Sequence, residues 1–369
     1  MSMSKDLRVN VLPVPTWNKL KINDTVIKNA RIDGVAKYSI SAPEVVCDTK
    51  EKATKDKKAL PAEILGNKVW NKAKEDSENA IADFFGEIKP VYLSLGGNEK
   101  EPVVIDIKCN KGQKSALSLM IDAKGDSEVI LRMSENENDT YASKEDGGFL
   151  GLNISVSLSP GANLHLVQTQ LLADSHTVFS YINGDCDDGS ALKLTTVSLG
   201  AEKGYFGAKV KLSGDGSRLD THTAYILEEN RFIDMNYVAD QYGKDTEAEI
   251  FSAGVLKKGC IKTSRQTVNF ISGCAGSKGV ENEEVLLLDD DVINKSAPLI
   301  LCTEEDVEGE HGASIGQPDE SVIFYLESRG IPLEQIYDML SVAKINAAMS
   351  RTGHAETRDM VRQFMLRSE

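Results

Sequence analysis

The sequence predicts a mainly β protein with helical ends, a parallel β-helix core followed by a C-terminal α-helical domain. Three observations predict it. Gly161, Gly189, Gly216 and Gly243 recur at spacings of 28, 27 and 27 residues. A similar strand-like run follows each glycine: 163-NLHLVQTQ-170, 191-ALKLTTVS-198, 218-RLDTHTAY-225 and 246-TEAEIFSA-253. The last fifty residues then switch from an alternating pattern to a helical one. A fixed period in this range marks a solenoid or a propeller, and a propeller blade needs about 40 or more residues. Two or three strands per repeat fit a β-helix coil, in which each strand pairs with its repeat mate. A β-sandwich with coincidental spacing is the competing reading.

The elements follow in chain order. Residues 1–95 read as an irregular and helical region. Pro13, Pro15, Pro43 and Pro61 punctuate short apolar pieces, and 48-DTKEKATKDKK-58 is a solvated charge run. Residues 61–86 have helical spacing through Ile64, Val69, Ala73, Ala80, Ile81 and Phe84, ending at Gly86. Residues 96–317 form the β core. It begins with the alternating runs 103-VVIDIKC-109, 117-LSLMIDA-123, 128-EVILRMS-134 and 151-GLNISVSLS-159, set between Gly, Asn, Asp and Ser clusters. Within the repeats Leu164, Leu192, Leu219 and Glu247 share one column, and a one-residue bulge would put Ala248 in place of Glu247. A second strand completes each unit at 177–182, 205–212, 233–240 and 261–270. Residues 318–369 form the helical domain, with helices expected over 319–328, 332–350 and 355–366. Leu333, Ile336, Leu340, Ala343 and Ala347 make an apolar stripe that must dock on its own domain or on a partner.

Bulk properties narrow the function. A formal net charge of −15 argues against nucleic acid and against an anionic membrane surface as the main partner. No apolar run approaches the ~20 residues that span a bilayer, and the N-terminus MSMSKDLRVNVLPV lacks the apolar core of a secretion signal, so a cytoplasmic location is expected. Cys47, Cys109, Cys186, Cys260, Cys274 and Cys302 contain no C-x-x-C pair, which disfavours a self-contained zinc site. Most read as small buried hydrophobes. Nothing matches G-x-x-x-x-G-K-[ST], G-x-S-x-G or H-E-x-x-H, so the chain carries no nucleotide site of its own. The glycine-rich run 273-GCAGSKG-279 reads as a turn.

Of the five histidines, His165 shares a polar column with Lys193 and Asp220 and reads as an outward surface residue. His222 reads as structural; His176 and His354 fall in polar turns. His311 differs. It lies between Glu310 and Gly312, ahead of the small residues Ala313 and Ser314, where another backbone could approach closely. Imidazole, carboxylate and thiolate all ligate iron, so Glu310 and Cys302 join His311 as candidate ligands. Cys302 also ends the apolar run 298-PLIL-301 and would suit a core equally well.

The residues 285–332 resemble the C-terminal core of the SufB/SufD scaffold proteins of iron–sulfur cluster assembly. The resemblance rests on 285-VLLLDD-290, then 294-NKSAP-298, then 310-EHGASIG-316, then 319-DESVIFYLESRG-330, in that order. The segment 14-VPTWNKLKINDT-25 also looks like the N-terminal segment of SufD-like members. This resemblance implies a right-handed parallel β-helix flanked by helical regions. It further implies a non-catalytic scaffold that works with a SufC-type ATPase docked on the C-terminal helices, at the stripe from Leu333 to Ala347. It implies pairing with a SufB-type scaffold, or with a second copy in a minimal system, and a transient Fe–S cluster at the subunit interface near His311. SufB members carry a cysteine just before the N-K-S-x-P position, where this chain has Val292 and its neighbours, and a glutamate after the histidine, where it has Gly312. Both differences favour SufD; Glu310 is SufB-like. Flavin binding is left open. The alternative is a cytosolic β-helix carbohydrate-active enzyme using Asp185, Asp187, Asp188, Asp215 and Asp220, although aspartate is expected at turns in any case.

Overall fold

The computed structural model describes residues 4–16, 18–47, 78–97, 99–136 and 147–367. The charge run 48–58 and most of the helix expected over 61–86 lie outside the described residues; its last part, residues 78–84, is helical and forms α1.

The core is a parallel β-helix built from two facing sheets. In the first, β6 (Val91–Leu95), β8 (Lys114–Ala123), β10 (Gly148–Leu158), β12 (His176–Cys186), β14 (Lys203–Leu212), β16 (Phe232–Gln241), β18 (Ile261–Phe270) and β20 (Ile293–Cys302) stack in that order. In the second, β7 (Val103–Cys109), β9 (Ser127–Glu135), β11 (Asn163–Leu171), β13 (Ala191–Ser198), β15 (Arg218–Leu227), β17 (Glu247–Leu256), β19 (Ser277–Leu287) and β21 (Val307–Gly316) do the same. Each rung thus contributes two strands, and neighbouring rungs pair in parallel and in register. The β6 strand already belongs to the stack, ahead of residue 96. At the N-terminal end β4 (Lys37–Ile40) and β5 (Val46–Cys47) add antiparallel edges to the two sheets.

Strict register creates columns. Leu164, Leu192, Leu219 and Ala248 align, so the bulged alternative holds and Glu247 falls beside Arg218. The turn column also shifts at its fourth member. Gly161, Gly189, Gly216, Asp245 and Gly276 all have positive φ, and each donates its amide to the next rung's turn (2.7–3.0 Å). Gly243 is not in that column. A Cβ there would meet the Gly214 carbonyl oxygen at 2.2 Å, so it is glycine because two turns approach closely. The glycine-rich run 273–279 is a turn leading into β19.

The interior between the sheets is apolar over most of its length, filled by columns such as Val129, Leu166 and Leu194. Two elements cover the outside. The hairpin of β1 (Lys5–Val9) and β2 (Thr25–Ala30) packs on the first sheet through Leu7, Val9 and Ile27. A fully buried ion pair fastens it there. Arg265 donates to Asp234 (2.7 Å) and to the Ile22 carbonyl, while Thr25 (2.6 Å) and Asn10 (2.5 Å) donate to the same carboxylate. On the second sheet lie α3 (Leu333–Met349) and α4 (Ala355–Arg367), while α2 (Glu320–Ser328, capped by Asp319) lies beside α3. Ile345, Ala348, Met349 and Val361 pack on Val197, Ala224 and Val255. Ion pairs Lys344–Glu284 (2.9 Å), Arg132–Glu356 (2.9 Å) and Arg351–Asp220 rim that contact.

The face of α3 that packs is therefore offset from the predicted stripe. Ile336 is wholly buried and Leu340 partly so, whereas Leu333, Ala343 and Ala347 are exposed. Ile336, one residue of the expected docking stripe, is thus buried within this chain and not on its surface. Two histidine readings also change. His176 is not in an exposed turn but is the fully buried first residue of β12, its Nε2 3.3 Å from the Asn110 carbonyl. His165 does face outward, yet it is mostly covered, with Nδ1 3.0 Å from Glu128 and Nε2 2.9 Å from Thr195. His354 sits just before α4, where its Nδ1 accepts from the Thr357 amide (3.3 Å).

Candidate functional site

The terminal rung, β20 and β21, ends the stack. Each strand pairs on one side only, so ten residues of each present an open edge. Open parallel edges of this length ordinarily need cover, because their amide and carbonyl groups can pair with another chain. Ile293, Ile300 and Ile315 are exposed along them. Small residues Gly309, Gly312, Ala313 and Ser314 keep the β21 edge accessible to a neighbouring backbone.

Register settles which way each candidate faces. His311 pairs with Glu281, which continues the column Ile250, Thr221, Leu194, Leu166 and Val129. That column points into the β-helix. His311 is exposed because no rung lies beyond it to close the interior. Glu310 continues the column Val280, Glu249, Asp220, Lys193 and His165, which faces outward. Successive strand residues point to opposite faces, so Glu310 and His311 do not converge. Cys302 stands above Phe270, Gln241, Leu212 and Cys186, an inward column. Its thiol donates to the Glu304 carbonyl (2.8 Å). Ile300 lies against Gly309 across the mouth. His311 is two residues beyond Gly309, and Cys302 is two beyond Ile300 in the opposite direction, a separation of about 13 Å at ~3.3 Å per residue. No cluster of three His, Cys, Asp or Glu able to hold a metal forms among the described residues. The three candidates therefore share the terminal rung but not a common centre.

Cys302 is nevertheless exposed, whereas Cys109, Cys186, Cys260 and Cys274 are buried. Burial pushes the Cys109 and Cys186 thiols up to about 12 and raises Cys260 and Cys274 also, which makes all four inert at neutral pH.

Below the mouth the interior changes character. In the penultimate rung the inward residues include Lys262, Ser264, Gln266, Glu281 and Glu283, all at most 5% exposed. Lys262 pairs with Glu283 and donates to Ser296 (2.9 Å); Ser296 donates in turn to Glu283. Gln266 donates to Ser252 (3.1 Å), which donates to Glu283 (3.3 Å). Desolvation lowers the Lys262 pKa, against the opposing pull of Glu283. Among the described residues Glu281 has no cationic partner. One oxygen accepts the Val268 amide (2.8 Å); the other makes no hydrogen bond among the described residues. Burial pushes this carboxyl up to about 8, with the Val268 and Leu299 amides pulling the other way. Sequence reading missed all of these groups. For Glu281 the available signal was a carboxylate in a column that earlier rungs fill with Ile250, Thr221, Leu194, Leu166 and Val129.

The turn aspartates resolve as structural. Asp188 accepts the Asp215 amide (2.8 Å), Asp215 accepts the Lys244 amide (2.8 Å), Asp185 accepts Ser213 (2.7 Å), and Asp220 is paired with Arg351. Asp185, Asp188 and Asp215 thus join rung to rung, and Asp220 ties the second sheet to the helical region. On the helical side, α2 buries none of its residues and exposes Val322, Phe324 and Tyr325, and α3 exposes Leu333 and Met339.

Comparison with known proteins agrees with this architecture. Residues 108–344 match the family model described as SUF system FeS cluster assembly, SufBD core domain. The chain is 24% identical over 179 residues to "Iron-sulfur cluster assembly protein SufD" of Bacillus subtilis, covering 48% of this chain and 38% of that protein. It is 23% identical over 259 residues to a SufBD family protein of Mycobacterium leprae, covering 68% and 61%. It is 22% identical over 155 residues to SufB of Bacillus subtilis, covering 42% and 33%. The matched segments span less than two thirds of each relative's length. A match through β8 to β21 and into α3, together with the parallel β-helix itself, places this chain in the SufBD core family of iron–sulfur cluster assembly scaffolds.

Proposed function

We propose that the chain is a SufD-like, non-catalytic scaffold subunit in the cytoplasm, which helps build Fe–S clusters with a SufC-type ATPase and a SufB-type scaffold. One observation carries the reading: the β-helix ends in an uncapped mouth, with His311 in its inward column and two open strand edges around it. A second scaffold chain meeting that edge would close the mouth and bring its own ligands to His311. The roughly 13 Å between Cys302 and His311, and the outward direction of Glu310, support a site that needs a second chain. A second copy of this chain is the other occupant to consider, since it too would bring an imidazole to the edge. The exposed apolar side chains of Val322, Phe324 and Tyr325 on α2, and of Leu333 and Met339 on α3, support ATPase docking on these helices. In this reading, motion of those helices strains the terminal rung and opens the scaffold interface, giving iron and sulfide access to His311.

The test is His311→Ala in cells that depend on this chain. Folding and co-purification of the ATPase and scaffold partners should persist, while cluster maturation falls at least tenfold. Unchanged maturation removes His311 from the mechanism. The identity of the co-purified scaffold separates a SufB-type partner from a second copy.

A further inference from the structure

Glu281 is 1% exposed, and one of its carboxylate oxygens is without a hydrogen-bond partner among the described residues. It does not lie in the middle of the rod. It occupies the last closed rung, directly beneath His311 in the same inward column. Neighbouring rungs are ~4.8 Å apart, so side chains stacked in one inward column can reach a common ion between them. The anchored oxygen accepts the Val268 amide on β18, and the Leu299 amide on β20 acts on the same carboxyl. The group therefore lies between the penultimate and terminal rungs, at the level from which the imidazole projects. A burial of this kind is costly when the polar atom is left unpaired. The other inward carboxylate of that rung, Glu283, is bound to Lys262, Ser296 and Ser252.

We propose that Glu281 is the second donor of the cation site at His311, and that iron(II) binds between them just inside the mouth. This rests on the reading of His311 as a ligand. One borderline nitrogen and one hard oxygen suit iron(II). The remaining coordination positions stay open to water, sulfide or donors of the second scaffold chain. Glu310, on the outer face, and Cys302, on the far side of the mouth, take no part in this first binding step. A cation held there supplies the partner that the second carboxylate oxygen lacks.

The experiment titrates the purified full chain anaerobically with cobalt(II), a spectroscopic substitute for iron(II). The wild-type chain should bind one cobalt with ligand-field bands and no thiolate-to-cobalt charge-transfer band. Glu281→Gln keeps an acceptor for Val268, and Glu281→Asp withdraws the carboxylate by one methylene; each should weaken binding tenfold or more, as should His311→Ala. Glu310→Gln and Cys302→Ser should bind as wild type. Wild-type binding in both Glu281 variants, with loss in His311→Ala, overturns the assignment of Glu281 and leaves His311 standing. Wild-type binding in His311→Ala overturns both, and so does failure of the wild-type chain to bind cobalt. Anomalous scattering from cobalt-soaked crystals gives a readout independent of any variant. A peak between the two side chains supports the assignment, and a peak elsewhere or none overturns it.

Discussion

Replacing Glu281 by glutamine should change how stability depends on pH. In the folded protein this carboxyl is pushed up to about 8, whereas its ordinary value is 4.5. The folded state therefore holds the proton more tightly than the unfolded chain does. The stabilisation from that tight proton is complete below pH 4.5 and drains away as pH rises towards 8. Each unit of difference corresponds to about 1.4 kcal/mol. Across the full gap the loss approaches about 5 kcal/mol, and between pH 5 and pH 8 it amounts to about 3.5 kcal/mol. Glutamine in the same place has no proton to lose. Urea unfolding of both proteins at pH 5, 6.5 and 8 isolates the contribution, because groups common to the two cancel in the difference. The wild type should lose stability relative to Glu281→Gln by about 3.5 kcal/mol over that range, without metal present. A difference that stays flat with pH would show that the carboxyl is already ionised in the folded state, and the reasoning about its burial would fail.

Other consequences are simpler to read. Ile345→Ala removes a fully buried contact between α3 and the second sheet; it should cost about 2–5 kcal/mol and raise protease sensitivity first in the C-terminal helices. Phe324→Asp alters a residue that is 74% exposed; thermal stability should hold, while co-purification of the proposed SufC-type ATPase should be lost. His222 is held down to about 4, first by burial and then by the Arg351 charge. The unfolded chain takes up the proton first, so stability present above pH 6.5 falls as pH drops towards 4, and His222→Gln should flatten that part of an acid-unfolding curve.

Much of the architecture was legible because a β-helix repeats one backbone problem. Every rung must turn, and a turn with positive φ selects glycine or a short polar residue, so Gly161, Gly189 and Gly216 announce the stack. Legibility ended where another residue solves the same problem: Asp245 takes the fourth turn at φ 52°, and Gly243 serves a close approach instead. The helices at the C-terminus were readable from their apolar spacing and from Pro332. Which face of α3 packs was not, since Leu333 and Ile336 are equally apolar in sequence and only the neighbouring sheet distinguishes them.

For the candidate site, the chain alone determined the rung period, the family motifs and the singular position of His311. Tertiary structure alone decided that His311 takes the inward column and Glu310 the outward one, that Cys302 stands across the mouth, and that Glu281 lies beneath the imidazole. The reason is physical: local sequence specifies turns and alternation, but a column exists only when distant rungs stack in register. Glu281 and His311 are thirty residues apart along the chain and become neighbours through backbone pairing between β19 and β21.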